Sequence, residues 1–294
     1  MKKYFYIIIA VLSLLACSPV SKDCVAVCGG REVKIIDFKA SEGTDFKEVW
    51  SWKLDDPATV LPEGYSNYLH HFDECKFVDG NSKLLLTSSG GGMVLLDIRT
   101  KEILTYAKVP MAHSADLLPG GRIAVALSTH AQGNALEIYD IDSPEKVIIR
   151  DSLYSGHGVV WNDARQSLYA LGYKELREYK LVGWDSAEPS LERVATWEIP
   201  MNSGHDLSPV DNDRMLVSAH EGVMSFDLNT GEFTPFEPLK DVSDVKSVNL
   251  DPQTSRLLFT KGEIRWWTHN IYQQNPDKTV TIDSLNVYKI RPVR

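Results

Sequence analysis

A chain of 294 residues with 43% hydrophobic and 10% aromatic content has the composition of a globular protein, and it is long enough for one large all-β domain. The formal net charge is −9 at pH 7, and loss of a leader containing Lys2 and Lys3 would make it −11. A nucleic-acid backbone requires a basic protein surface, so this charge excludes nucleic acid as a partner.

The first 16 residues predict a signal peptide. Two lysines precede an apolar run at residues 5–15, and the leader ends in Leu-Leu-Ala directly before Cys17. This arrangement resembles a bacterial lipoprotein signal, in which the leader 1–16 is removed and the cysteine is acylated; the run is too short for a permanent membrane span. The resemblance implies a lipoprotein of the bacterial cell envelope, anchored to the membrane by Cys17 and a tether of residues 17–23, on the periplasmic or the surface face. The alternative is an ordinary secretory leader.

The other cysteines, Cys24, Cys28 and Cys75, are an odd number for an oxidising compartment. On an extended segment Cys24 and Cys28 would lie about 13 Å apart, which prevents a disulfide between them. Three arrangements stay open: one of these two paired with Cys75, three buried free thiols, or a metal site. The metal site is the weakest, since no CxxC spacing is present.

A repeated unit of short strands organises residues 24–294. In its clearest copy, residues 205–228, an opening strand is followed by the polar turn 211–214, a buried second strand and an alternating third strand. Self-similarity at about 40 to 50 residues is the signature of a propeller. Further copies begin at His113 and His157, and looser ones at His71 and Lys246.

The third strand of this unit can be counted by its pattern, apolar-x-apolar-apolar-charged-apolar or a near variant. Six copies predict an all-β, six-bladed β-propeller of four-stranded antiparallel blades, with the N- and C-terminal strands joining to close the ring. The sequence reveals no sixth opening strand, so five blades plus an extra hairpin is the alternative. The copies are residues 33–38, 94–98, 136–141, 176–181, 223–228 and 285–290.

The positions of the histidines in this unit predict a functional face. In a four-stranded blade, the fourth-to-first and second-to-third connections emerge on the same face, and all eight histidines of the chain map there. Imidazole can donate, accept, titrate or bind a metal, so a shared mouth of imidazoles is a chemical resource. His71, His113, His157 and His205 begin first strands at the channel mouth, whereas His70, His130, His220 and His269 lie in the connections.

Aromatic and cationic side chains map around the same mouth. This combination suits a polar, anionic, ring-shaped ligand such as a uronate-containing or sulfated sugar. The sequence therefore predicts a monomeric propeller that binds carbohydrate at a histidine-rich channel mouth. The predicted ligand-binding residues are Arg31, Tyr65, Tyr68, His71, His130, Lys174, His220, Arg265, Trp266, Trp267 and His269.

A purely structural interpretation competes with this one. A histidine at the start of each inner strand could serve only to bond the backbone of the neighbouring blade, as a device repeated by duplication. Duplication does not explain His130, His220 and His269, because they occupy non-equivalent loops. Of Trp266 and Trp267, an alternating strand would turn one inward to pack and the other outward.

The segment HSADLLPGGRIAVAL, residues 113–127, resembles a strand-turn-strand motif of bacterial extracytoplasmic propellers, which include arylsulfate sulfotransferases and NHL-like and quinoprotein-like repeats. Its histidine lies one residue nearer the Pro-Gly turn than in that motif. The whole chain is similar to an uncharacterised family of bacterial six-bladed propeller lipoproteins. The sulfotransferase resemblance implies that channel-mouth histidines take part in function, and it carries over here to His113, His157 and His205.

Two further functions stay open beside ligand binding. A histidine-dependent polysaccharide lyase, hydrolase or sulfotransferase-like enzyme would use His157 and His205 as an acid/base pair with His113 as their partner. The same three imidazoles could hold a divalent metal ion as a cofactor and leave one position for water or substrate. The remaining alternative is a protein-interaction scaffold, since a propeller fold by itself selects no function.

Overall fold

The computed structural model describes residues 20–294, whose strands form six four-stranded antiparallel sheets. One edge strand of each sheet contacts the edge strands of both neighbouring sheets, so the sheets are the blades of a closed ring. The predicted six-bladed β-propeller is therefore confirmed. The predicted signal peptide 1–16 and Cys17 lie outside the described residues, as does part of the predicted tether. Among residues 20–294, no helix is both long and apolar enough to cross a membrane.

From the channel outward, the four strands of each blade follow one another in chain order, except that the C-terminal strand is innermost in blade 1. Blade 1 contains β24 (Val287–Pro292), β1 (Cys24–Gly29), β2 (Glu32–Glu42) and β3 (Asp45–Lys53). Blade 2 contains β4 (Phe72–Val78), β5 (Lys83–Ser88), β6 (Gly92–Asp97) and β7 (Ile103–Lys108). Blade 3 contains β8 (Ala112–Leu118), β9 (Arg122–Leu127), β10 (Ala135–Asp140) and β11 (Ser143–Ser152). Blade 4 contains β12 (Gly158–Asn162), β13 (Ser167–Leu171), β14 (Glu175–Val182) and β15 (Ser190–Glu198). Blade 5 contains β16 (Asp206–Pro209), β17 (Arg214–Ser218), β18 (Val223–Asp227) and β19 (Glu232–Pro235). Blade 6 contains β20 (Val245–Leu250), β21 (Leu257–Lys261), β22 (Asn270–Gln274) and β23 (Lys278–Thr281).

The hydrophobic core is divided into six clusters, one between each pair of neighbouring blades. Successive side chains of a strand point to opposite faces of the sheet, and here both faces are buried. In β5, Leu84 and Leu86 pack toward blade 1, whereas Leu85 packs toward blade 3. Second strands are therefore continuous apolar runs, because each residue buries its side chain against one neighbour or the other, at about 1.5–3 kcal/mol for a leucine.

The ring is closed by the C-terminal strand. β24 is the innermost strand of blade 1 and pairs antiparallel with β1, which is the second strand of that blade. Assigning residues 285–290 to a third strand was therefore wrong, since the third strand of blade 6 is β22. The apolar pattern identifies a strand, but it does not fix the position of that strand in its sheet. β24 is the sixth inner strand that the sequence did not reveal, and the alternative of five blades is excluded.

The three cysteines of the described chain, Cys24, Cys28 and Cys75, are buried free thiols, which is one of the three arrangements left open by the sequence. The thiols of Cys28 and Cys75 both donate to the carbonyl oxygen of Lys289, at 3.5 and 3.7 Å. Burial and the nearby Cys75 raise the pKa of Cys28 well above its usual value. The Cys28 thiol therefore stays protonated at neutral pH, and all three buried thiols contribute to packing.

Candidate functional site

The strand order places all eight histidines on one face, as predicted from the sequence. Each lies in a fourth-to-first connection, in a second-to-third connection, or at the start of an inner strand. At the centre of this histidine face, a cavity of about 490 Å³ opens at the mouth of the channel. We call it the mouth cavity. Its volume is in the range of small-molecule sites.

A bulge at the entrance of the inner strands directs side chains into this cavity. The pairing register skips Asp73 in β4, His113 in β8 and Lys246 in β20, so two residues of each inner strand face one residue of the neighbouring strand. Such bulges re-aim side chains. Successive side chains of a regular strand point to opposite faces, but the bulge lets two consecutive side chains, those of Asp73 and Glu74, both point toward the channel.

The other three blades present an equivalent residue. The backbone N–H groups of His157 and His205 donate to the carbonyl groups of Leu171 and Ser218, which also lie opposite the next residue of each inner strand. In blade 1 the shifted register places Tyr288 at this position. Six side chains, one from each blade, therefore form what we call the mouth ring: Asp73, His113, His157, His205, Lys246 and Tyr288. Five of them line the mouth cavity, and Lys246 lies behind His205.

An ionic network closes the channel beneath the mouth ring. The guanidinium of Arg291 donates to both carboxylates, with Nε 2.7 Å from Glu74 Oε1 and Nη2 2.6 Å from Asp206 Oδ1. Lys289 Nζ lies 3.2 Å from Asp206 Oδ1 and donates to the His157 carbonyl oxygen at 3.0 Å. These four charged residues are buried, and Glu74, Asp206 and Lys289 each directly follow a mouth-ring residue along their strand.

The ring histidines are neutral bases. His113 and His157 each donate Nδ1–H to a backbone carbonyl, that of Met111 at 2.9 Å and that of Ser155 at 2.8 Å. A carbonyl only accepts, so the lone pair of each neutral ring is on Nε2. Burial lowers the pKa of His113 to about 4, and Lys289 contributes to this shift. Burial, with His113 and His205 nearby, also lowers the pKa of His157 well below its usual value.

Asp73 is the ring residue whose ionisation falls near neutral pH. Burial raises the pKa of its carboxyl group to about 7, although the Ser89 N–H donates to Oδ2 at 2.5 Å. The repeat pattern in the sequence predicted His71, two residues earlier, at this ring position, and Asp73 was not among the predicted site residues. His71 still lines the mouth cavity, with its ring centroid 5.7 Å from that of Trp267. The sequence suggested that an imidazole of the mouth would titrate near neutral pH. In the mouth ring, the group with a pKa near neutrality is instead the carboxyl group of Asp73.

Lys246 occupies a cluster of potential metal ligands. In the described chain, atoms of His205, His220 and Asp244 lie within 4.8 Å of one another. Lys246 Nζ is 2.9 Å from His205 Nε2 and 3.3 Å from Asp244 Oδ1, and Asp244 also accepts from His220 Nδ1 at 2.9 Å. Burial lowers the pKa of Lys246, and the nearby Asp244 carboxylate offsets part of that shift. The lysine amine takes the position that a cation would take. This set shares His205 with the predicted triad of His113, His157 and His205, whose metal-binding role stays a prediction.

Replacing Lys246 by methionine is expected to open this cluster to a divalent metal. With the competing ammonium removed, two imidazoles and a carboxylate can bind Co²⁺ at least about tenfold more tightly than in the wild type. The visible absorbance of bound Co²⁺ measures this binding. His220→Ala in the same background should abolish the gain, and equal Co²⁺ affinity in wild type and Lys246→Met would contradict the assignment.

Comparisons with known proteins agree with this architecture. A model of a family of unknown function, DUF6528, matches residues 25–293. The chain belongs to this family. A protein of unknown function from Bacteroides caccae, solved as a crystal structure, is 15% identical with a TM-score of 0.59, over 93% of this chain and 100% of that one. At this identity the likeness shows the fold alone. A search of curated proteins gave no match.

The predicted ligand-binding residues separate into three groups. His71, Trp266 and Trp267 line the mouth cavity. Lys174 lines a second cavity on the same face. Seven others lie on the histidine face outside both linings: Arg31, Tyr65, Tyr68, His130, His220, Arg265 and His269.

Intramolecular contacts explain why several of these seven do not reach the cavity. Arg31 forms two hydrogen bonds with Asp55, at 2.8 and 2.6 Å. Tyr65 is buried, with its ring centroid 4.6 Å from that of Tyr106. His269 Nδ1–H donates to the Leu285 carbonyl at 3.0 Å. The sequence placed these residues on the correct face, but their radial positions depend on packing.

The sequence identified Lys246 as the start of a looser copy of the repeat but not as a site residue, and it did not identify Tyr288. A weak signal was present, since each precedes a buried polar inner-strand residue, Ser247 or Lys289, as His205 precedes Asp206.

Proposed function

We propose that this protein is an extracytoplasmic lipoprotein whose mouth cavity binds a polar, anionic carbohydrate. The observation that carries the proposal is the lining of the cavity, which combines two tryptophans, Trp266 and Trp267, with imidazoles and hydroxyl groups. Flat aromatic rings pack against the apolar faces of sugar rings, and acceptors and donors around them bind the sugar hydroxyls. Ser89, Ser128, Thr129, Ser155 and Ser203 supply the hydroxyls.

A hydrogen-bonded turn fixes the backbone that carries the two tryptophans. Arg265 and Trp266 form the tip of a tight turn, in which the backbone of Ile264 and Trp267 is hydrogen-bonded in both directions. Trp266 remains 55% exposed, which is unusual for so large an apolar side chain. A rigid exposed indole loses little conformational entropy when it binds, so the turn supports a stacking role.

The preference for an anion comes from charges behind the lining. Lys289 contributes to the lowered pKa of both His113 and His157, so its positive potential reaches the imidazoles. A carboxylate or sulfate on the histidine side of the cavity would be attracted by that potential. On the other side, burial is the main cause of the raised pKa of Tyr288 and Asp73 adds to it, so an anionic group should avoid this wall. The two sides orient the ligand.

Location follows from the N-terminal sequence. The leader and Cys17 support anchoring in the bacterial cell envelope, where extracellular glycans are encountered. Radiolabelled palmitate incorporated by the wild type and absent from Cys17→Ala would support the anchor. Equal incorporation would contradict it.

Replacing Trp266 by alanine is expected to weaken glycan binding at least about tenfold, because a stacked aromatic anchor is lost. The measurement is calorimetric titration of residues 20–294 with oligogalacturonides, chondroitin sulfate oligosaccharides and neutral cello-oligosaccharides. Trp184→Ala is the matched control, since Trp184 follows β14 on the opposite face and packs on Arg122 at 4.4 Å. No binding by the wild type to any series, or equal loss in both variants, would contradict the proposal.

A second candidate function, a histidine-dependent lyase, hydrolase or sulfotransferase-like enzyme, is favoured by one specific observation. Asp73, His113 and His157 line the same cavity, and among residues 20–294 no hydrogen bond is formed by the Nε2 atom of either imidazole, so a proton donor near neutral pH and two neutral bases share one site. Product formation from the same glycans, with an ionisation near pH 7 that disappears in Asp73→Asn, would favour the enzyme. Thermal stabilisation without product favours a binder, and neither response favours a protein-interaction scaffold.

A further inference from the structure

A second cavity of about 440 Å³ lies on the histidine face between blades 3 and 4. We call it the outer cavity. Its lining comes from the β11–β12 connection, the β13–β14 connection and the outer strand β15. Its lining side chains are Tyr154, Tyr173, Lys174, Glu175, Thr196 and Glu198, of which Glu175 is paired with Arg177.

Only one layer of backbone separates the outer cavity from the mouth cavity. Tyr154 lines the outer cavity, and the next residue, Ser155, lines the mouth cavity. The Tyr173 N–H donates to the Tyr154 carbonyl at 2.9 Å, and the Gly204 N–H donates to the Tyr173 carbonyl at 3.1 Å. Ser203, which precedes Gly204, again lines the mouth cavity. Adjacent residues of the same hydrogen-bonded backbone segments therefore line the two cavities.

The outer cavity has the side chains of a sugar subsite. The rings of Tyr154 and Tyr173 lie 5.6 Å apart at 59°, and Tyr154 is 57% exposed. Neither phenol has a hydrogen-bond partner among residues 20–294. Lys174 Nζ is 3.9 Å from Glu198 Oε1 in an exposed pair, which is a weak contact that a ligand anion can replace. Two aromatic faces, two free hydroxyls and an available ammonium are thus present together.

We propose that the outer cavity is a subsite for the continuing chain of an acidic oligosaccharide whose terminal unit occupies the mouth cavity. This inference rests on the proposed function and deepens it, since it specifies an oligomer as the ligand. Linked subsites raise affinity because the second contact is made within one complex. Affinity should therefore increase with chain length until both cavities are filled.

The test is a length series. Oligogalacturonides, chondroitin sulfate oligosaccharides and cello-oligosaccharides, each from the shortest available member to about six units, are titrated into the wild type, Tyr154→Ala and Tyr173→Ala. We expect the longest bound acidic oligomer to lose about tenfold in affinity in each variant, whereas the shortest bound member keeps its wild-type affinity. The short ligand is the internal control for folding, because it needs an intact mouth cavity.

Each other outcome overturns the inference in a distinguishable way. If short and long oligomers bind the wild type equally, or if both variants bind long oligomers as the wild type does, the outer cavity is not a subsite and the mouth-cavity proposal stands. If neutral oligomers show the length dependence and acidic ones do not, the acidic class is wrong. If no series binds the wild type, the proposed function fails and this inference fails with it.

Discussion

Replacing Arg291 by methionine is expected to destabilise the propeller by about 3–5 kcal/mol, because it leaves two buried carboxylates without their main partner. Arg291 bridges Glu74 of blade 2 and Asp206 of blade 5 from the closing strand of blade 1. Burial alone raises the pKa of Glu74 and Asp206, but Arg291 and Lys289 outweigh burial and hold both below their usual range. Urea denaturation at neutral pH measures the loss.

Arg31→Met is the matched control, since Arg31 also holds a carboxylate through two hydrogen bonds. Its partner Asp55 is exposed, so we expect a loss of at most about 1 kcal/mol. A similar change in both variants would contradict the role of the buried network. The stability that Glu74 and Asp206 contribute is present above their unfolded pKa values of about 4 and is lost as the pH falls through the folded values. The deficit of Arg291→Met should therefore shrink in acid, where the unpaired carboxyl groups take up protons.

Replacing Asp73 by asparagine is expected to stabilise the protein by about 2–4 kcal/mol above neutral pH. The folded-state pKa of Asp73, about 7, lies above the unfolded value of about 3.9, and each unit corresponds to about 1.36 kcal/mol. Between these values the folded state binds more protons, so this group lowers stability as the pH rises and exerts its full cost above about 7. Asparagine cannot ionise, and its carbonyl oxygen can still accept from the Ser89 N–H.

Denaturation of both proteins between about pH 4 and 8 checks this expectation. The gain in Asp73→Asn should be largest at the alkaline end and vanish toward pH 4. Asp79→Asn is the control, because Asp79 is exposed and Lys83 holds its pKa below the usual value, so its replacement should cost stability slightly. A pH-independent gain, or a loss at alkaline pH, would show that Asp73 does not titrate near neutrality.

A carboxyl group that lowers stability suggests a role in binding or chemistry, since stability and function often conflict at sites. Asp73 lines the mouth cavity, and no buried cation contacts it closely enough to form an ion pair in the described chain. Glu74, the next residue, is fully paired. The bulge thus gives two adjacent carboxyl groups different environments, since Glu74 is paired with Arg291 and Asp73 lines the mouth cavity.

Local chemistry made much of the architecture predictable. The turn at residues 119–121 illustrates this, because Gly120 and Gly121 both adopt positive φ, at 72° and 71°, as a glycine turn between two strands requires. Period-two alternation located the strands, and the order of connections placed the histidines on one face. His113, His157 and His205 were placed in the mouth for the same reason.

The amino-acid sequence by itself determined the all-β class, the propeller architecture and the face that carries the imidazoles, because strand periodicity, turn chemistry and connection order are local properties. Only the tertiary structure decided that the C-terminal strand is the innermost strand of blade 1 and so completes six blades rather than five. It also decided that Asp73, Lys246 and Tyr288 complete the mouth ring, and that burial lowers the pKa values of His113, His157 and His205. The physical reason is distance along the chain. Arg291 meets Glu74 across 217 positions. A bulge shifts a register by one residue, and burial, which sets the pKa values, depends on blades that are far apart in sequence.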